Sequence, residues 1–149
     1  MIAVDTNLLV YAHREDSPHH RMAFDAIIHL ANRRSGNWAI PWPSLHEFLA
    51  VVTHPKIYDP PSPIDVAFAS IDQWLNCANC RLIGESEFHL DQLKSLCHPG
   101  KIKGPKIHDA RIAAICLQND VDELWTADRD FSLFETLKTK NPLVRDEWS

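Results

Sequence analysis

The sequence predicts an α/β fold in which a central, mainly parallel β-sheet is flanked by α-helices, and three observations carry that expectation. Short apolar runs of strand character, at residues 2–4, 38–40, 81–83 and 124–126, alternate with longer stretches of helical period, the pattern of a parallel sheet covered by helices. The 149 residues suffice for one domain with a substantial core and are too few for two of ordinary size, so one domain is expected over residues 1–149. Hydrophobic residues make up 45% and charged residues 23% of the chain, the balance of a soluble globular protein and not of a disordered one.

Ile2, Ala3 and Val4 form the first strand, which ends in Asp5, Thr6 and Asn7. Ser17 as cap and Pro18 in the first turn open a helix running to about Arg34, with Phe24, Ile27, Ile28 and Leu30 on its buried side. Pro41 and Pro43 stop the second strand. Leu45, Phe48, Leu49 and Val52 then recur at helical spacing on a helix that carries Glu47. Pro55, Pro60 and Pro61 punctuate a loop, and Ser62 with Pro63 starts a helix through Trp74 and Leu75. After a strand at residues 81–83, a helix over 86–97 presents Phe88, Leu90, Leu93 and Leu96 as its apolar face. From Ile107, the run Ala110, Ile112, Ala113, Ala114, Ile115, Cys116 and Leu117 makes a largely buried helix whose first turn holds His108 and Asp109. Leu124, Trp125 and Thr126 form a further strand leading into Ala127 and Asp128, with Asp130 two residues on, and Leu143 and Val144 mark an edge strand in the tail.

Four acids stand where this fold places function. Asp5 and Asp128 follow strand ends, and Glu47 and Asp109 lie near helix starts, so all four belong at the carboxyl edge of the sheet, where open α/β folds bind ligands. Each has a structural explanation of its own. Ser44 and Glu47 have capping-box spacing, Asp109 suits the positive end of a helix dipole, and Asp5 and Asp128 suit turn residues that bond to nearby backbone. Those explanations do not predict that the four converge. Four carboxylates brought together raise one another's pKa values, so the arrangement makes physical sense with a hard divalent ion, and oxygen-only ligands favour magnesium or manganese.

The formal net charge of −5 runs against simple phosphate binding, which favours basic surfaces, although bound cations reverse the local balance. Lys101, Lys103 and Lys106 form one basic cluster; Arg33 and Arg34 read as solvated surface. No apolar stretch is long enough to span a membrane and the N-terminus lacks the layout of a signal peptide, so a cytoplasmic location is expected. Four cysteines in such a compartment suit reduced thiols. Cys77 and Cys80 form a lone CxxC without a second pair, and half-buried thiols are expected there in place of a zinc site. His108 is a candidate for contacting substrate near neutral pH, and the tryptophans are expected in the core, with Trp42 as a candidate for stacking on a base.

Taken together, Val4-Asp5-Thr6-Asn7, Glu47 in an early helix, His108-Asp109-Ala110 followed by Ile112-Ala113-Ala114, and Thr126-Ala127-Asp128-Arg129-Asp130-Phe131 resemble the PIN-domain nucleases, and among them the VapC toxins of bacterial toxin-antitoxin modules. Asn141-Pro142-Leu143 is similar to one subgroup of these toxins. The resemblance covers nearly the whole chain. It implies an endoribonuclease dependent on magnesium or manganese, with Asp5, Glu47, Asp109 and Asp128 as its catalytic acids and metal ligands. Asn7 and Thr126 are implied as supporting residues, and Asp130 as an additional acid beside Asp128. The implied chemistry is in-line attack of a metal-activated water on an RNA phosphodiester. The implied partners are a small cognate antitoxin and a second copy of the chain. Two other classes stay open from the residues: a binding module that keeps the fold without activity, and a phosphatase using Asp5 as nucleophile, which ordinarily places a second acid where Asn7 stands.

Overall fold

In the computed structural model, which describes residues 1–98 and 101–144, the strands are β1 (Ile2–Val4), β2 (Trp38–Pro41), β3 (Cys80–Ile83), β4 (Glu123–Trp125) and β5 (Thr139–Lys140). They form one sheet in the order β3-β2-β1-β4-β5, every pair parallel. The helices are α1 (Thr6–His13), α2 (His20–Ala31), α3 (Trp42–Val52), α4 (Ile64–Leu75), α5 (His89–Cys97) and α6 (Lys106–Gln118), followed by a short 3-10 helix at Arg129–Leu133. The chain builds outward from β1 in one direction, through β2 to β3, and then returns to place β4 on β1's other edge. That reversal opens a crevice at the carboxyl ends of β1 and β4.

Alternation along the two central strands divides the core. Val4, Trp38 and Ile40 join a cluster with Leu8, Leu9, Phe48 and Trp74 from the α1 to α4 side. Ala3 and Ala39, adjacent in register across β1 and β2, join the opposite cluster with Ala110, Ala113 and Ile115 of α6 and Phe131. Successive strand residues point to opposite faces, so β1 and β2, covered on both sides, need apolar residues throughout.

The helix α1 is absent from the sequence expectation. Its residues run almost continuously apolar, with Leu8, Leu9, Val10 and Ala12 all buried, so no amphipathic period announces it. Nor does a loop precede it: Asp5 both ends the strand and caps the helix, its carboxylate accepting the Thr6 N–H. Helix α2 begins at His20, after Ser17 has accepted the His19 N–H. Its buried stripe is Ala23, Ala26, Ile27 and Leu30, which turns Phe24 and Ile28 outward, 41% and 43% exposed. The small alanines set the phase that the larger side chains suggested wrongly. Likewise α5 is shorter than expected, and Phe88 and Leu90 lie exposed while Leu93 and Leu96 pack on the core. The edge strand pairs Thr139 and Lys140 with β4, and Leu143 and Val144 lie beyond it in a turn. Residues 145–149 of the expected tail lie outside the described residues.

Phe48 is fully buried, meeting the Trp74 ring edge-on at 5.1 Å and the His13 ring at 5.3 Å. Replacing Phe48 by Ala is expected to cost about 3–5 kcal/mol in urea unfolding, whereas Phe24→Ala should cost less than about 1 kcal/mol. Equal losses would contradict the helix phases described above.

Candidate functional site

The crevice at β1 and β4 is built from hydrogen bonds between the two strand exits. The Asp5 N–H donates to the Trp125 carbonyl at 3.0 Å, fixing the backbone. The Asp5 carboxylate, 4% exposed, accepts the Thr6 N–H at 2.7 Å and the Thr126 hydroxyl at 2.8 Å. Thr126 in turn accepts the Asp128 N–H at 3.0 Å, and Asn7 accepts the Ala127 N–H at 3.2 Å. The Asn7 amide also approaches the Thr126 hydroxyl at 3.4 Å. Asn7 and Thr126 therefore tie the start of α1 to the segment after β4. Asp128 caps the 3-10 helix by accepting the Asp130 N–H at 2.9 Å, so the turn role expected for it is real and leaves it at the crevice.

Glu47 does not form the capping box its spacing with Ser44 suggests. Helix α3 starts at Trp42 with Pro41 as cap, so Ser44 already lies inside the first turn, and its hydroxyl is buried without a partner. Glu47 instead accepts the Thr6 hydroxyl at 3.1 Å, across from α1. Asp109 lies in the first turn of α6, a helix with no side-chain cap. Its carboxylate and those of Asp128 and Asp130 bring oxygens within 4.8 Å of one another.

Asp5, Glu47, Asp109 and Asp128 line one cleft of about 250 Å³ together with Thr6, Asn7, Val10, Tyr11, Val51, Tyr58 and Ile112. A second cleft of about 620 Å³ shares Glu47, Asp109 and Ile112 with it and adds His46, Lys106, His108, Arg111 and the exposed Asp130. Lys106 and His108 thus border the acids. Lys101 lines a separate cleft with Phe134 and Glu135, and Lys103 is exposed. Thr6, Tyr11 and Tyr58 were not foreseen as part of this region. Thr6 follows Asp5 directly, yet only the fold brings its hydroxyl to Glu47; Tyr58 sits in a proline-rich loop where no periodicity marks it.

Burial, above all, raises the Asp5 carboxyl to about 6, opposed by the bonds from Thr126 and Thr6 and reinforced by the negative charges of Glu47 and Asp109. Asp109 also rises to about 6, first through burial and then through Asp128, Asp130 and Glu47, with His108 opposing. Among the described residues no lysine or arginine forms an ion pair with any of these acids. A set of oxygen donors that includes two carboxyls raised chiefly by burial, with no ion pair to a lysine or arginine among the described residues, fits a hard divalent cation.

The cysteines are all free, and burial pushes the Cys80 thiol up to about 12, which disfavours the thiolate that zinc binding requires. Trp38, Trp74 and Trp125 lie in the core, while Trp42 is 46% exposed. No helix among the described residues is long and apolar enough to cross a membrane.

Residues 2–136 match the family model of the PIN domain. The chain belongs to the PIN-domain family. This PIN domain is 32% identical over 143 residues to ribonuclease VapC43 of Mycobacterium tuberculosis, aligning 96% of both proteins. It is 28% identical over 138 residues to ribonuclease VapC48 of the same organism, aligning 93% of this chain and 94% of the relative. Among solved structures, the Sarcin-Ricin loop cleaving toxin VapC20 of Mycobacterium tuberculosis shares the fold with a TM-score of 0.66 at 14% identity, covering 89% of this chain and 93% of that one. VapBC2 from Rickettsia felis, bound to a promoter DNA fragment, gives a TM-score of 0.66 at 20% identity, covering 95% of this chain and 98% of that one. The likeness to VapC toxins drawn from the motifs holds, as does the parallel α/β architecture.

The raised Asp5 carboxyl has a definite sign in stability. A folded-state pKa near 6 against 3.8 means that the buried acid contributes no penalty below the unfolded value, a growing one as pH rises from about 4 to 6, and its full penalty above that. That penalty reaches on the order of 3 kcal/mol. Asn retains the cap at Thr6 without the charge. In denaturant unfolding without divalent ions, Asp5→Asn should therefore gain stability relative to the unaltered protein as pH rises from 4 to 7.5. A difference that does not change with pH would contradict the burial of a charged Asp5.

Proposed function

We propose that this PIN domain, spanning residues 1–149, is a metal-dependent endoribonuclease and the toxin member of a toxin-antitoxin pair. The observation that carries the proposal is the meeting of Asp5, Glu47, Asp109 and Asp128 in one cleft. It occurs in a chain whose relatives, over 93–96% of its length, are ribonucleases by name. Asp5 and Asp109 hold the principal ion, magnesium or manganese, and Glu47 and Asp128 hold a second ion or orient the attacking water. Asp130 adds negative charge at the edge of the same group. When bound, such an ion lowers the pKa of water and neutralises charge on the phosphate undergoing attack.

The chain's own residues supply position. Thr126 and the Thr6 N–H hold the Asp5 carboxylate in one orientation, and the Thr6 hydroxyl does the same for Glu47. Asn7 keeps the Ala127–Asp128 segment against the start of α1. Supporting residues of this kind hold ligands in geometry and are felt in both affinity and rate when removed. Lys106, His108 and His46, in the adjoining cleft, offer donors to RNA phosphates, which reconciles a net charge of −5 with a polyanionic substrate.

The partner reading is a small antitoxin that covers the acidic cleft, together with a homodimer of the chain in the cytoplasm. Its antitoxin part alone is supported by likeness to structures of VapBC from Salmonella typhimurium and of FitAB, both bound to DNA, at TM-scores of 0.63 and 0.64. The phosphatase alternative finds little support, because Asn7, where the second acid would stand, is occupied by the Ala127 N–H.

Incubation of the purified protein with total RNA and magnesium or manganese should yield fragments that disappear with chelator. Asp5→Asn and Asp109→Asn should each lower the rate by at least about 100-fold. Cleavage by either variant at the parental rate would remove its assignment.

A further inference from the structure

We propose that the part of the acidic cleft walled by Tyr11 and Tyr58 is a subsite for one unpaired nucleobase of the RNA, next to the phosphate that is cut. The proposal rests on the ribonuclease reading and adds to it the part of the substrate that this wall recognises. The chain has only two tyrosines, and both line the cleft that holds Asp5, Glu47, Asp109 and Asp128. Two helices grade that cleft from charged to apolar in the same sense. Along α1, Asp5 and Asn7 are followed by Val10 and Tyr11; along α3, Glu47 is followed one turn later by Val51. The change takes place over about one to two helical turns, roughly 5–9 Å, a span that a ribose bridges between its phosphate and its base.

Tyr58 is held in place from outside the cleft. The Arg14 guanidinium lies 4.3 Å from the centre of its ring. Arg14 itself is clamped by two bonds to Asp16, at 2.6 and 2.8 Å, and donates to the Ser62 hydroxyl at 3.2 Å. His13 braces the same loop, its ring nitrogens 2.8 Å from the Ser62 hydroxyl and 2.7 Å from that of Ser70. An aromatic ring fixed at one face and bordering the apolar side of a cleft is a stacking platform, and every base offers a π-face to it. The cations Lys106 and Arg111, the latter paired with Glu85, line the other cleft, and the wall of Val10, Tyr11, Val51 and Tyr58 adds none of its own to this one. A base can enter only from a single strand, loop or splayed end.

The test is cleavage of a short RNA with a single abasic nucleotide moved through each position around the cut, by the unaltered protein with magnesium. One abasic position beside the cut should raise KM about 5- to 100-fold. Tyr58→Leu, which keeps bulk and removes the π-face, should raise KM for the intact RNA by a similar factor with little change in kcat. It should also lose its preference for a base at that position, and Tyr58→Phe should restore both. The abasic scan on the unaltered protein carries the test even if Tyr58→Leu folds poorly. Insensitivity of the unaltered protein to every abasic position, or undiminished base preference in Tyr58→Leu, overturns the subsite. Failure of the unaltered protein to cut any RNA overturns the ribonuclease reading instead.

Discussion

The hydrogen bond from Thr126 to the buried Asp5 carboxylate joins the ends of the two central strands at the point where the sheet reverses its direction of growth. Most of the site depends on it. Asp5 stops β1 and starts α1 without an intervening residue, and Thr126 stops β4 and passes its own oxygen to the Asp128 N–H. A hydroxyl serves here because it donates to the carboxylate and accepts from the amide at once. Valine, similar in shape, would leave that buried carboxylate oxygen with only the Asn7 amide at 3.5 Å and the Asp128 N–H without its acceptor, a change that costs more than the loss of one exposed contact.

The same junction concentrates negative charge where the fold can least solvate it. Two of its carboxyls stand near 6, and among the described residues the cleft's acids have no cationic side-chain partner. Burying charge in this way opposes folding, and it persists where a bound ion offsets it. The first turns of α1 and α6 and the middle of α3 supply the remaining geometry. Helices α1 and α3 follow parallel strands and α6 leads into one, so all three begin at the carboxyl edge of the sheet and residues far apart in sequence arrive there together.

Four of the five strands and five of the six helices were legible in the sequence, from short apolar runs and from apolar residues at helical spacing. Helix α1 was not, since a helix apolar on nearly every side carries no period, and the absence of a loop after Asp5 hides its start. Misplaced faces have a related cause. In α2 half of the buried stripe is alanine, so hydrophobic size pointed to Phe24 and Ile28, which the fold leaves outside. For the site, Asp5, Glu47, Asp109 and Asp128 could be placed at one edge from strand and helix order alone, and the structure brings them into one cleft. Glu47's bond to Thr6, and the approach of Tyr58 from a proline-rich loop, depend on tertiary packing and leave no mark on local spacing. Asp130, next to Asp128 in sequence, falls largely in the neighbouring cleft, a division that one turn of 3-10 helix decides.

The central claim is that these acids are held together for a divalent cation. It is tested most directly by thermal unfolding of the unaltered protein and of Asp109→Asn, each with and without magnesium or manganese at neutral pH. The account predicts that the variant is at least as stable as the unaltered protein without ions, and that added ion raises Tm for the unaltered protein alone, by an amount that grows with ion concentration. An unaltered protein whose Tm does not respond to either ion, or a variant that responds equally, would contradict it.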